Sequence, residues 1–286
     1  MKITFLGTSA ATACPLPFCK CNFCETARIR GGKDFRKRSS LLLNDDLLID
    51  FGPDVMSSSF VHGVSIVDIK FLLQTHSHAD HFDPSAFGTR FSGYAVKKVP
   101  MLELYGSDLT LRKLSEMLRG DGHIRDLYDK KEQNELKLKV FSLVHFQSLD
   151  IGRYNVISFP ANHDDEVDSL IYAISEKKCN IFYGVDTGEL SEEIWNYFYE
   201  KDLKFDIIIL DHTYGPNIEG DSHLSADIFI SYVERMKKNG ILNAKARIFA
   251  THISHEGNYN HKELSKYSER HGYEIAYDGL VINIDN

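Results

Sequence analysis

Four side chains able to hold a divalent cation fall within one short run, His76-Ser77-His78-Ala79-Asp80-His81. Imidazole and carboxylate are ligands that Zn²⁺, Mn²⁺ and Fe²⁺ all accept, and a loop can turn them toward two adjacent ions. The run follows a hydrophobic stretch at 69–74 that reads as a buried strand, so a rigid element delivers a ligand-bearing loop to a cleft. Two cations roughly 3.5–4 Å apart would share a water, lower its pKa toward neutrality and polarise a substrate oxygen. The chemistry expected here is hydrolysis.

The run completes the signature H-x-H-x-D-H, and with it the sequence resembles the metallo-β-lactamase superfamily. Further matches follow in chain order: His163 after Phe159-Pro160, Asp186 in Gly184-Val185-Asp186-Thr187-Gly188, and His252 in Ala250-Thr251-His252. The resemblance implies that His76, His78 and His163 hold one metal, that Asp80, His81 and His252 hold the other, and that Asp186 bridges them. Taken alone, a single histidine is more often a surface or core residue, and Asp-Thr-Gly is ordinary turn chemistry. The order along successive strands favours ligation.

A second cluster, Cys19-x-Cys21-x-x-Cys24, places three thiols in one short loop, too close together for a conventional disulfide framework. Three thiolates leave a tetrahedral zinc one ligand short. His255, three residues beyond His252, could supply it and tie the N-terminal loop at 14–25 to the wall of the active site. Cys14 and Cys179 read as ordinary small residues. With Gly7-Thr8-Ser9 ahead of it, the cluster resembles the PhnP-like branch, which contains a phosphodiesterase of the carbon–phosphorus lyase pathway. That resemblance implies one structural zinc. It also implies a substrate-side histidine matching His223, assigned as general acid, with Asp221 and Ser222 capping the next helix. His212 competes for that role. Asp80 is counted with the catalytic residues as well as the ligands. Asp50 and Asp211 read as partners for the ligands' imidazole N–H groups, and His62, His123, His145, His261 and His271 as surface residues.

Other elements must position these groups. Strands are expected at 2–6, 40–43, 47–50, 155–159, 170–174, 180–184, 206–210, 247–250 and 280–284. Helical spacing marks 109–118, capped by Ser107 or Asp108, and also 192–199, 224–237 and 261–271. Strands followed by alternating strands and helices, with no Pro/Gly/Ser-rich linker, predict a layered α/β fold in one domain over 1–286. The resemblance sharpens this to an αββα sandwich, two mixed sheets face to face with helices outside. The polar stretch at 120–136 reads as an insertion or lid.

A composition of 43% hydrophobic and 26% charged residues over 286 positions suits an ordinary globular protein. The chain shows neither a secretory leader nor a membrane-length apolar run, so a cytoplasmic location is expected. A net charge of −8 disfavours nucleic acid as partner and leaves a small anionic substrate open. A homodimer is the default assembly.

Together these features predict a phosphodiesterase that cleaves a small phosphodiester with a metal-bridging hydroxide, a cyclic ribose phosphate being one candidate from the resemblance. His223 would protonate the leaving oxygen. The cofactors expected are two divalent ions, Zn, Mn or Fe, plus the structural zinc. Rivals on the same fold are a tRNA-processing endoribonuclease, a lactone or thioester hydrolase, and a non-catalytic accessory protein resembling PqqB.

Overall fold

In the computed structural model, which describes residues 1–284 except 92, 96–98, 123, 125, 165 and 221, two seven-stranded sheets pack face to face. The first contains β1 (Lys2–Gly7), β2 (Ser40–Leu43), β3 (Leu47–Ile49), β4 (Phe71–Leu73), β5 (Leu102–Ser107), β6 (Leu138–Leu143) and β14 (Val281–Asn283), in the order β14-β1-β2-β3-β4-β5-β6. The second contains β7 (Ser148–Ile151), β8 (Tyr154–Pro160), β9 (Leu170–Glu176), β10 (Cys179–Gly184), β11 (Phe205–Asp211), β12 (Leu242–Thr251) and β13 (Glu274–Ile275), in the order β13-β12-β11-β10-β9-β8-β7. Both sheets are mixed. Strands β3 to β6 run parallel, as do β10 to β13, while β1–β2 and β8–β9 pair antiparallel.

The side-chain period of two decides where the core lies. Leu41, Leu43, Leu47 and Ile49 point between the sheets, where they meet Ile207 and Ile209 of the opposite sheet. Their neighbours Leu42 and Leu48 face outward under a helical layer, as do Ile208 and Leu210 on the other side. Central strands are therefore apolar on both faces, which explains their continuous hydrophobic runs.

Helix α4 (Asp108–Gly120) covers the first sheet with Leu111, Leu114 and Leu118, and Ser107 accepts from the Thr110 N–H as its cap. Helices α6 (Glu192–Glu200), α7 (Ala226–Lys238) and α8 (His261–Glu269) cover the second. The cap of α7 is Ser225, whose side chain accepts from Ile228 N, and not Ser222. The alternative cap, Asp221, lies outside the described residues, as does His123. The sequence pattern leaves out β5, β6, β7 and β13 and the helices α1 (Asn22–Arg30), α2 (Val55–His62), α3 (Pro84–Gly88) and α5 (Lys130–Leu136). Within 120–136, α5 buries Gln133 and Leu136, and Leu127 joins the apolar layer beneath α4. Among the described residues, no helix is long and apolar enough to cross a membrane.

Candidate metal centre

Each candidate ligand stands just past the end of a core strand. β4 runs into Gln74, whose amide donates to the carbonyls of His76 and His81 at 2.9 Å each and so shapes the ligand loop. The same loop closes onto Gly52, where a Cβ would sit 2.1 Å from the Asp80 carbonyl oxygen. His163 follows β8, Asp186 follows β10, and His252 follows β12. Asp50, Asp186 and His252 hold left-handed backbone at φ 61°, 60° and 59°. Such φ values are uncommon outside glycine and concentrate at functional positions.

The side chains converge. His76, His78, His163 and Asp186 form one set and Asp80, His81, Asp186 and His252 another, the ligand atoms within each set lying within 4.8 Å of one another. Asp186 belongs to both. Its Oδ2 lies 2.9 Å from His81 Nε2 and 3.3 Å from His76 Nε2, and its Oδ1 lies 3.3 Å from His163 Nδ1. His78 Nδ1 faces His163 Nε2 at 3.2 Å.

A ring of partners fixes which imidazole nitrogen faces inward. Asp50 accepts from His81 Nδ1 at 2.7 Å and from the Thr75 hydroxyl at 2.9 Å. With its proton committed there, Thr75 Oγ1 accepts from His76 Nδ1 at 3.0 Å. Thr213 Oγ1 does the same for His252 Nδ1 at 2.8 Å, and Asp164 for His78 Nε2 at 3.1 Å. What remains is telling: His76 Nε2, His81 Nε2, His252 Nε2 and Asp186 Oδ1 are buried without a hydrogen-bond partner. An unsatisfied buried polar atom costs roughly 1–3 kcal/mol. Four of them aimed at one space are the signature of a cation site, so the donor set fits divalent metal ions.

The electrostatics agree. Asp50, Asp80, Asp186 and Asp211 are all buried, and among the described residues none pairs with lysine or arginine. Burial pushes Asp80 and Asp186 up, yet the surrounding imidazoles hold both carboxylates below their usual range. Burial drives His76 well down, whereas Asp80 and Asp50 outweigh burial at His81 and raise it.

His223 lines the same cleft. Its Nδ1 lies 3.2 Å from Asp211 Oδ2 and 3.2 Å from Asp186 Oδ1. Burial alone would lower its pKa, but the bond to Asp211 and the nearby carboxylates carry it up to about 9. His212, the rival for this role, instead bonds Tyr273 Oη at 3.0 Å, is wholly buried and does not line the cleft. Thr75, Thr213 and Asp164 are the site's supporting groups that residue type alone does not single out.

The thiol cluster also closes. His255 Nδ1 lies 3.5, 3.4 and 3.8 Å from the sulfurs of Cys19, Cys21 and Cys24. A tetrahedron with Zn–S near 2.3 Å and Zn–N near 2.0 Å has an S···N edge of about 3.5 Å. Against burial, hydrogen bonds from the Cys24 N–H and His255 lower Cys21 to about 6, while burial pushes Cys24 up to about 12. The three sulfurs cannot all carry charge without a cation among them, so this set fits zinc. Cys14 and Cys179 are buried free thiols outside it. Of the histidines expected at the surface, His145 is exposed, whereas His62, His261 and His271 are half-buried, and His261 is the one held by an arginine among the described residues. It accepts from Arg36 Nη2 at 3.0 Å.

The description of a beta-lactamase superfamily domain matches residues 46–253. No curated protein matches the sequence. Among solved structures, the chain is similar to a diphosphatase of the PhnP family at 22% identity and a TM-score of 0.72, over 98% of this chain and 96% of that one. Zinc-bound PqqB from Methylobacterium extorquens is 16% identical with a TM-score of 0.66, over 99% and 100%. The short form of human tRNase Z is 20% identical with a TM-score of 0.64, over 100% of both chains. At these identities the likeness is one of fold.

Proposed function

Since this chain belongs to the metallo-β-lactamase superfamily, a family of metal-dependent hydrolases, we propose that it is a dinuclear phosphodiesterase acting on a small phosphodiester, a cyclic ribose phosphate among the candidates. The observation that carries the dinuclear reading is the pair of four-ligand sets sharing Asp186, with orphaned buried atoms in both. His76, His78 and His163 would hold one ion, Asp80, His81 and His252 the other, and Asp186 both. Four buried carboxylates without lysine or arginine partners among the described residues match the four positive charges of two divalent ions. When bound, such ions supply Lewis acidity and lower the pKa of coordinated water toward neutrality.

The chain's own residues do the rest. Asp50, Thr75, Thr213 and Asp164 hold the imidazoles of His81, His76, His252 and His78 in fixed orientations, so these need no reorganisation during the reaction. Asp211 accepts from His223 Nδ1, which favours the protonated ring and leaves Nε2 facing away from Asp211. The Nε2 proton of His223 is then available to the departing alkoxide. A cleft of about 190 Å³ is below the 300–1,000 Å³ usual for drug-sized ligands and favours a small substrate. Among the described residues, its lining contains no lysine or arginine, which disfavours the endoribonuclease reading because RNA needs cationic contacts along its backbone. The thiol-rich zinc set suits a reducing, cytoplasmic setting.

Metal-loaded protein tested on bis(p-nitrophenyl) phosphate, cyclic nucleotides, thioesters and lactones decides between substrate classes. His223→Ala should lose about 10²–10⁴-fold on alkyl phosphodiesters and far less on p-nitrophenyl esters, whose leaving group needs no proton. Absence of turnover with Mn²⁺, Zn²⁺ and Fe²⁺ alike would favour the accessory-protein role.

A further inference from the structure

The cleft wall opposite in sequence to the histidine run is made by Thr213, Tyr214, His252, Ser254, His255 and Glu256. Glu256 contributes an exposed carboxylate whose Oε2 lies 3.4 Å from Ser254 Oγ, and among the described residues it forms no ion pair with lysine or arginine. Its backbone is fixed. The Glu256 N–H donates to Ser254 Oγ at 3.0 Å, its carbonyl accepts from Gly215 N at 2.9 Å, and Ser254 Oγ donates to the Thr213 carbonyl at 2.7 Å. The two loops touch so closely that a Cβ on Gly215 would sit 2.0 Å from the Gly257 carbonyl oxygen. Asn258 adds a bond from Nδ2 to the Thr213 carbonyl at 2.9 Å. Beside Glu256 stands His255, the fourth member of the zinc set, which anchors this wall to the N-terminal loop.

A carboxylate carried on a fixed backbone, in a small cleft with no lysine or arginine among its described lining residues, selects for what it can accept. Hydroxyl groups donate to it, and a second phosphate is repelled, just as an acidic residue that binds a ribose diol excludes a phosphorylated one. We propose that Glu256 is a specificity-determining residue, accepting hydrogen bonds from hydroxyls on the alcohol portion of the ester and excluding substrates that carry a second phosphate there. The proposal rests on the phosphodiesterase reading of the same cleft, but its test need not.

The test is calorimetric binding of adenosine 3′-monophosphate and adenosine 3′,5′-bisphosphate to the full chain loaded with Mn²⁺. Wild type should bind the monophosphate about tenfold more tightly. Glu256→Gln should shrink that preference below about threefold, and Glu256→Lys should reverse it, with melting temperature and metal content unchanged in both. Tighter or equal binding of the bisphosphate by wild type, an unaltered ratio in Glu256→Lys, or binding of neither nucleotide would overturn the proposal. Turnover of bis(p-nitrophenyl) phosphate is measured alongside. If the binding preference holds without turnover, the subsite stands and the phosphodiesterase reading falls. If turnover occurs without the preference, the subsite alone falls.

Discussion

Replacing Asp50 by asparagine changes one atom's hydrogen-bonding sense in a buried position and little else. The Asp50 carboxylate accepts from Thr75 N at 2.8 Å, from the Thr75 hydroxyl, and from His81 Nδ1 at 2.7 Å. The asparagine oxygen can keep the Thr75 N–H, but its amide then faces His81 Nδ1 with donor against donor. Relief requires His81 to carry its proton on Nε2, the buried nitrogen that lies 3.1 Å from Asp80 and 2.9 Å from Asp186. An imidazole protonated there is no longer a ligand. Loss of a carboxylate partner of this kind costs about 10–100-fold in metal affinity, equivalent to roughly 1.4–2.7 kcal/mol. The side chains are nearly isosteric, so no cavity forms and metal-free protein should melt within a few degrees of wild type. Calorimetric titration of metal-free Asp50→Asn with Zn²⁺ or Mn²⁺ should show the weakening concentrated in one of two binding steps. Wild-type affinity in both steps would refute the assignment of Asp50 as the group that orients His81.

Gly52→Ala should force the Asp80 loop outward, destabilising the fold by about 3 kcal/mol and lowering its Tm by roughly 5–10 °C; unchanged melting would show that the loop yields freely. His255→Ala should remove one equivalent of zinc by elemental analysis. It should also release a clasp spanning 236 residues between Cys19 and His255, worth up to about 5 kcal/mol in chain entropy, whereas unaltered zinc content would break the Cys/His assignment. Burial, with Arg36 and Lys33 nearby, holds His261 down to about 3 from an ordinary 6.5. A depressed histidine contributes its stability in full above 6.5 and loses it as pH falls through that value, by at most about 1.4 kcal/mol per pH unit. Urea midpoints should therefore drop between pH 7 and pH 5 in wild type more steeply than in His261→Gln.

How much of this was readable in advance depended on how local each signal is. The histidine run is contiguous, so its chemistry is legible from residue types alone. His163, Asp186 and His252 become legible only through their order after successive strands, because nothing adjacent distinguishes them from structural residues. Thr75, Thr213 and Asp164 were invisible, since a threonine or aspartate that orients a ligand looks like any loop residue until the partner arrives from elsewhere in the chain. The missed elements have equally physical causes. Helix α5, Lys130-Lys-Glu-Gln-Asn-Glu-Leu136, is polar almost throughout and buries only Gln133 and Leu136, so it carries no hydrophobic period to detect. Strand β6 buries only Leu138 and Leu143 while Lys139 and Ser142 stay exposed, and its alternation is correspondingly faint. His261 reads as a solvent-facing residue because Arg36, the group that buries and bonds it, lies 225 positions earlier.

The left-handed backbone at Asp50, Asp186 and His252 sets the fold against the chemistry. Each residue with a side chain held there costs on the order of 1 kcal/mol that glycine would not. A design procedure that optimised this chain for thermal robustness alone would write glycine at all three positions. It would obtain a sturdier sandwich with an empty cleft, since those residues are the proposed bridging ligand, a proposed terminal ligand and the group that would orient a third.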